Sequence, residues 1–134
     1  MVQEFLEKFC AEFSISSVPK LNAQKSFLLH FAKDIDISLA DLQPGVGFRS
    51  NLIPSPLKKR EELFLYLMRA NLLGQGTGGA RIGMDEAEKS LTLSLGIPYE
   101  INYRVFKENL EEFVNHLIYW RDDITQFENR QTMY

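Results

Sequence analysis

Hydrophobic and polar residues alternate along this chain with two different periods, and each change of period marks the boundary of a predicted element. Between Val2 and Phe13, apolar residues recur at steps of three and four, which predicts an amphipathic helix that ends near Ser14. In residues 24–32 and 34–40, alternate positions are apolar, which is the period of a half-buried strand. These two segments predict a β-hairpin.

A third strand and a second helix follow. Residues 45–53 alternate again. Ser55 is then a candidate N-cap, and Pro56 suits the first helical position, where its missing N–H costs nothing. We therefore predict a helix over 57–73, with Gly74 as its carboxyl-terminal stop.

The remaining sequence predicts two strands and a long helix. Residues 80–84 and 91–95 alternate, and the polar residues 85–89 between them predict a turn. The strongest periodicity in the chain comes last, in steps of four and three, at Phe106, Leu110, Phe113, Leu117, Trp120, Ile124 and Phe127.

The resulting order, α-β-β-β-α-β-β-α, predicts an α+β fold in which three helices pack on an antiparallel five-stranded sheet. We expect a single domain over 1–125 and a flexible carboxyl-terminal tail over 126–134. Residues 63–68 are apolar around most of the helix circumference, whereas a surface helix keeps one polar face. The second helix is therefore expected to bury two faces.

Three glycines, Gly74, Gly76 and Gly79, have the G-x-G-x-x-G spacing of dinucleotide-binding loops. That site requires a strand before the loop and a helix after it, so that free amides at the helix amino terminus meet the pyrophosphate. Here the predicted order is helix, loop, strand. We interpret the glycines as a chain reversal and predict no cofactor.

Composition narrows the function classes. The 134 residues carry 15 basic and 18 acidic side chains, a net charge of −3, so the clustered positive charge of a nucleic-acid-binding domain is missing. The single Cys10 lies on the apolar side of the first helix, where it acts as a small hydrophobe. The sequence has neither a signal-peptide core nor a run of apolar residues long enough to span a bilayer, and we predict a cytoplasmic protein.

Motifs of catalysis and metal binding are missing from the sequence. His30 and His116 are far apart and lack cysteines or carboxylates at metal-ligand spacing. Adjacent acidic residues, such as Glu61 and Glu62, diverge by about 100° on a helix and cannot share a substrate. The sequence has no nucleophile elbow and no phosphate-binding P-loop. We therefore predict neither an enzyme nor a metal site.

Residues 68–125 resemble the carboxyl-terminal half of class I type III secretion chaperones, the CesT and SycE-like family. The matching features are the helix end ANLLGQGTGGA, the hairpin RIGMDEAEKSLTLS, the entry to the last helix at Pro98, and the FxxxLxxFVxxLxxWR pattern from Phe106 to Arg121. The first 67 residues match in layout, with GVGFRSNLIPSP resembling the third strand and the turn after it.

The resemblance implies a cytoplasmic chaperone that binds the N-terminal chaperone-binding segment of a secreted effector or gatekeeper protein. Such a chaperone keeps its client extended and secretion-competent and delivers it to the secretion apparatus, without ATP or metal. The resemblance also implies an obligate dimer formed through the second helix and a nearby strand. A homodimer is the default expectation, and pairing with a second chaperone is the alternative.

Two sets of residues are candidates for these contacts. An extended client would place apolar side chains in grooves between the first helix and the sheet, or add a strand at a free edge. The candidates for client binding are Phe5, Phe9, Phe13, Leu29, Phe31, Ile35, Ile37 and Phe48. The candidates for the dimer interface are Leu63, Phe64, Leu67, Met68, Asn71 and Ile82.

Two other interpretations stay open at this point. Each client-binding candidate could simply be a core residue, because burial is the default for Phe and Ile. The whole chain could also be a generic dimeric α+β module that binds another protein or a ligand without a role in secretion.

Overall fold

The computed structural model describes residues 1–54, 60–73, 79–84 and 90–132; for residues 60, 70–73 and 128–132 it describes the backbone alone. The observed elements have the predicted order: α1 (Val2–Glu12), β1 (Phe27–Ala32), β2 (Ile35–Asp41), β3 (Val46–Pro54), α2 (Arg60–Leu73), β4 (Arg81–Met84), β5 (Ser90–Ile97) and α3 (Tyr103–Thr132). The predicted cap at Ser55 and Pro56, the stop at Gly74 and the polar turn at 85–89 lie outside the described residues.

The strands form one five-stranded sheet in the order β1-β2-β3-β5-β4, which confirms the predicted α+β class. Consecutive strands β1–β2, β2–β3 and β4–β5 pair antiparallel, and the β1–β2 hairpin pairs Leu29 with Ile37. Strands β1 and β4 are therefore the two edges of the sheet.

The chain packs as two compact units. The first comprises Met1–Ser50 and Leu95–Glu111, and the second comprises Asn51–Ser94 and Glu112–Tyr134. The expectation of one domain over 1–125 stays a prediction.

An aromatic cluster forms the core of the first unit. Phe106, in the first turns of α3, is fully buried, and its ring centroid lies 5.1 Å from that of Phe5, 5.8 Å from that of Phe48 and 6.5 Å from that of Phe9. Burying a phenylalanine side chain contributes roughly 1.5–3 kcal/mol. The apolar stripe predicted for α1 thus packs against Phe106 of α3, which in turn contacts Phe48 of β3.

The loop between β2 and β3 requires glycine at position 45. Gly45 has φ +98°, and a Cβ built there would lie 1.8 Å from the carbonyl oxygen of Ile97. A side chain would meet both a disfavoured backbone conformation and a direct clash. The absence of a side chain at Gly45 therefore lets this loop pack against the end of β5.

The second unit is built on α2 and the carboxyl-terminal part of α3. Leu63 and Leu67, one turn apart on α2, are buried. The periodic residues of α3 are buried as predicted at Phe113, Leu117, Trp120 and Ile124.

Two observations differ from the sequence-based expectations. Helix α3 continues to Thr132 and thus includes most of the segment expected to be a tail, whose flexibility stays a prediction. Within this segment the Phe127 ring stacks on Tyr66 of α2, with centroids 5.2 Å apart. The alternation of residues 91–95 is that of a half-buried strand, but Thr92 of β5 is buried as well as its apolar neighbours Leu91 and Leu93.

Candidate functional site

Three phenylalanines form an aromatic row where the end of α1 meets β1. Phe9 is fully buried, and its ring centroid lies 4.5 Å from that of Phe13 and 6.1 Å from that of Phe31. Phe13 follows the last turn of α1 and is 40% exposed, and Phe31 is half-buried. The buried ring of Phe9 thus lies beneath the partly exposed rings of Phe13 and Phe31, which form an apolar surface.

Phe31 lies where the β1–β2 ladder is irregular. The register shifts between the pairs His30–Asp36 and Ala32–Ile35, which leaves Phe31 without a regular cross-strand partner. Such irregularities redirect a side chain and commonly occur beside functional sites.

The other client-binding candidates are core residues of the first unit. Their exposed fractions are 9% or less at Phe5, Leu29, Ile35, Ile37 and Phe48. Side chains this deeply buried have almost no surface to offer a client. The structure therefore narrows the accessible members of the predicted set to Phe13 and Phe31.

A polar cluster borders the aromatic row. Lys107 of α3 donates to the Glu12 carboxylate and lies over the Phe13 ring, with Nζ 5.6 Å from the ring centroid. The Tyr103 hydroxyl donates to the other Glu12 oxygen at 2.7 Å. Lys8 lies over the Tyr103 ring, with Nζ 5.7 Å from its centroid. The cluster joins the end of α1 to the start of α3.

These contacts shift the ionisation of their members. The hydrogen bond from Lys107 is the largest cause that lowers the pKa of the Glu12 carboxyl. The same bond raises the pKa of the Lys107 ammonium. Burial, followed by the hydrogen bond to Glu12, raises the pKa of the Tyr103 phenol. Glu12 and Lys107 are therefore both ionised at neutral pH, and their ion pair keeps Lys107 beside Phe13.

Edge strand β1 adds an exposed apolar element that the sequence-based candidates missed. Leu28 is 44% exposed, and Leu21, whose backbone bridges to Phe27, is 59% exposed. The available signal was a leucine at position 28, where the alternation calls for a polar residue. The adjacent outward position carries His30, whose Nδ1 pairs with Asp36.

A second apolar surface lies in the second unit, between α2 and the hairpin β4–β5. It is a groove of ≈ 240 Å³ lined by Phe64, Leu67, Met68, Ile82, Gly83, Met84 and Leu91. Hereafter we call it the α2 groove. Four of the six predicted interface residues line it.

The remaining two interface candidates are placed differently. Leu63 is buried, with 1% of its surface exposed. The side chain of Asn71 lies outside the described residues. Gly83, Met84 and Leu91 complete the groove and were missed, because the sequence alone does not tell which strand residues face α2.

Helix α2 also exposes large apolar side chains. Leu65 is 60% exposed and Met68 is 64% exposed, whereas Leu63 and Leu67 are buried. The helix therefore buries one face within its own unit and leaves apolar residues exposed on another. Burial of a second face stays a prediction. Clustered exposed apolar residues mark interaction surfaces.

The sequence pattern of the Tir chaperone protein (CesT) family matches residues 4–121, which is most of the chain. The chain belongs to the Tir chaperone protein (CesT) family. This confirms the resemblance to class I type III secretion chaperones that was inferred from residues 68–125.

Individual proteins are similar to this chain over most of its length, in sequence or in fold. A Chlamydia pneumoniae protein designated CPj0713/CpB0740 is 24% identical over 127 residues, covering 92% of this chain and 96% of that protein. The chaperone fold is also similar to two solved structures. A chain of the ExsC–ExsE complex matches with a TM-score of 0.73 and 16% identity over 90% of this chain and 91% of that chain. A chain of the HopA1–SchA chaperone–effector complex matches with a TM-score of 0.67 and 14% identity over 90% and 93%.

Two further properties of the described residues bear on the site. None of the helices in the described ranges has the length and hydrophobicity needed to cross a membrane. Within the same ranges, no three His, Cys, Asp or Glu side chains lie close enough together to hold a metal ion.

Proposed function

We propose that this protein is a cytoplasmic type III secretion chaperone. It binds the N-terminal segment of a secreted effector or gatekeeper protein, keeps that segment secretion-competent and delivers it to the secretion apparatus. Membership in the Tir chaperone protein family over residues 4–121 is the observation that carries this proposal. It acts by binding, without enzymatic turnover.

Fold similarity supports a client of this kind. The HopA1–SchA structure is a chaperone–effector complex, and the ExoU–SpcU structure is a heterodimeric complex from the type III secretion system of Pseudomonas aeruginosa. A chain of the latter matches with a TM-score of 0.62 and 16% identity over 92% of this chain and 93% of that chain.

The client surface proposed here is the aromatic row together with the edge of β1. Phe13 and Phe31 would contact apolar side chains of the client, above the buried ring of Phe9. The edge of β1 beyond Phe27, which bridges to Leu21, would pair with the client backbone, and such pairing gives affinity with little demand on sequence. Exposed Leu28 would contact a side chain of the added strand.

A homodimer is the proposed functional form, and the α2 groove with the exposed Leu65 and Met68 is its proposed interface. These two side chains are more than half exposed. Covering them removes apolar surface from water, and this stabilises the dimer by about 25 cal/mol for each Å² buried. A two-fold interface also brings the same patch of both copies together, so the apolar face of α2 in one copy would cover that of the other copy.

Deletion of the gene tests the role in secretion. Proteins secreted by the encoding bacterium under conditions that activate type III secretion are compared by mass spectrometry with and without the gene. Loss of one or a few secreted proteins, restored by the intact gene, is the expected result. Restoration by a Phe13→Asp gene should be weaker than restoration by a Val18→Asp control, which changes another exposed apolar residue. An unchanged set of secreted proteins would contradict the proposal.

A further inference from the structure

Tyr66 of α2 contacts one side of α3 through both its hydroxyl and its ring. Its hydroxyl donates to Oδ2 of Asp123 at 2.7 Å. Its ring stacks on Phe127, with centroids 5.2 Å apart and planes 11° apart. It also meets Trp120 in an edge-to-face arrangement, with centroids 6.1 Å apart. The contacts lie on successive turns of α3, so they constrain both the position and the tilt of the Tyr66 ring.

Arg121, on the same part of α3, holds the chain that leads into α2. Its Nε donates to the carbonyl oxygen of Leu52 at 2.9 Å, and its Nη2 donates to that of Asn51 at 2.7 Å. Both carbonyls belong to the last residues of β3, the strand that precedes α2 in the chain. Charged donors make stronger hydrogen bonds than neutral ones.

We infer that the carboxyl-terminal part of α3, residues 120–127, is a positioning element for α2 and thereby sets the surface that α2 presents for self-association. Successive residues of a helix are about 100° apart, so Tyr66 lies about 160° from Phe64 and from Met68 around the α2 axis. Fixing Tyr66 against α3 therefore directs Phe64 and Met68, which line the α2 groove, to the opposite side of the helix.

Only the effect on self-association rests on the proposed homodimer. The positioning of α2 by α3 can be measured separately. A helix that is already fixed loses less conformational freedom when a partner binds, so its association is tighter. Releasing Tyr66 should both increase the motion of α2 and weaken self-association. The aromatic stack with Phe127 also gives a reason for the helical structure of residues 126–132.

The test combines hydrogen exchange of the α2 amides with sedimentation of the same variants. Tyr66→Phe removes the hydroxyl bond and keeps the ring, and Phe127→Ala removes the stacked ring. Asp123→Asn keeps a hydrogen-bond acceptor and should restore most of the protection that Asp123→Ala loses. Tyr119→Phe makes the same change as Tyr66→Phe at an exposed tyrosine of α3 and serves as its control.

Tyr66→Phe is expected to speed exchange of the α2 amides about tenfold, the effect of one lost hydrogen bond to a charged acceptor. Phe127→Ala is expected to speed it further and to weaken self-association about tenfold, because the helix must then be ordered on binding. The Tyr119→Phe control should exchange and sediment like the unsubstituted chain. Circular dichroism verifies that each variant is folded. If Phe127→Ala unfolds, the milder Tyr66→Phe substitution alone tests whether α3 positions α2.

The outcomes separate the two proposals. Unchanged exchange of α2 in folded Tyr66→Phe protein would overturn the positioning role, whether or not the chain forms a dimer. Faster exchange of α2 in a chain that sediments as a monomer at every concentration would support positioning and contradict the proposed homodimer. Faster exchange with an unchanged dimer affinity would overturn the claim that positioning sets the association surface.

Discussion

The ammonium of Lys107 lies over the ring of Phe13, with Nζ 5.6 Å from the ring centroid, and Glu12 accepts a hydrogen bond from the same ammonium. This arrangement ties the exposed aromatic residue of the proposed client surface to the start of α3. Lys107→Met should therefore free the Phe13 ring and weaken client binding, while the chain stays folded. Titration of a captured client against both proteins measures the change, and Arg104→Met, in the preceding turn and largely exposed, is the matched control.

The Glu12 carboxylate should make stability depend on acidic pH. Its pKa is lowered in the folded chain by the hydrogen bond from Lys107. A lowered folded pKa contributes stability above the unfolded value of 4.5, and that contribution disappears as the pH falls through the folded pKa. The melting temperature of Glu12→Gln should therefore be below that of the unsubstituted chain at pH 7, and the two should converge at acidic pH. A difference that persists in acid would contradict this role.

Gly45 should be intolerant of a side chain. Gly45→Ala places a Cβ 1.8 Å from the carbonyl oxygen of Ile97 in a backbone with φ +98°. We expect a loss of roughly 2 kcal/mol or more in the free energy of unfolding, measured by urea denaturation. Gly96→Ala is the matched control, since a Cβ there meets no atom within 4 Å. Equal stability of the two variants would contradict the tight approach of this loop.

The aromatic row should separate client binding from folding. Phe9→Ala removes a fully buried ring and should cost about 3–5 kcal/mol of stability. Phe13→Ser, at a side chain that is 40% exposed, should leave most of the stability and reduce client affinity. Urea denaturation and client titration of both variants test this. Full client affinity in Phe13→Ser would remove Phe13 from the proposed surface.

Met68 offers a clean test of the proposed dimer interface. Met68→Asp puts a carboxylate on a side chain that is 64% exposed in the chain by itself, so the monomer should still fold. In a dimer the same carboxylate would be desolvated without a partner, at a cost of several kcal/mol. Sedimentation should then find a folded monomer, whereas Arg69→Asp, an exposed neighbour on α2, should sediment like the unsubstituted chain. An unchanged dimer in Met68→Asp would contradict the interface.

Local periodicity was sufficient to predict the elements of this fold. The alternation of Ile35, Ile37 and Leu39 follows directly from the two-residue period of a strand, and all three are buried. The four- and three-residue steps of α3 likewise predicted the burial of Phe106 through Ile124. Side-chain period is a property of the local backbone, so it can be read without knowledge of the tertiary structure.

Tertiary contacts could not be predicted in the same way. Tyr66 and Asp123 are 57 positions apart, and Lys107 and Glu12 are 95 positions apart, so no helix spacing relates them. The polar sequence at the end of α3 likewise gave no sign that Phe127 stacks on Tyr66. The sequence identified Phe9, Phe13 and Phe31 as apolar but did not predict that Phe9 is buried while Phe13 and Phe31 are partly exposed.

Capture of a client from the bacterium that encodes this protein tests the proposed chaperone function. The purified chain is incubated with a lysate of secretion-active cells, and the retained polypeptide is trimmed by protease and identified by mass spectrometry. The mass of the purified complex follows from light scattering, with 15.5 kDa for each chaperone chain. We expect two chaperone chains with a protected N-terminal segment of a type III secreted protein, and loss of that segment in Phe13→Asp. A protected segment from elsewhere in a client, or a monomer that retains no secreted protein, would contradict it.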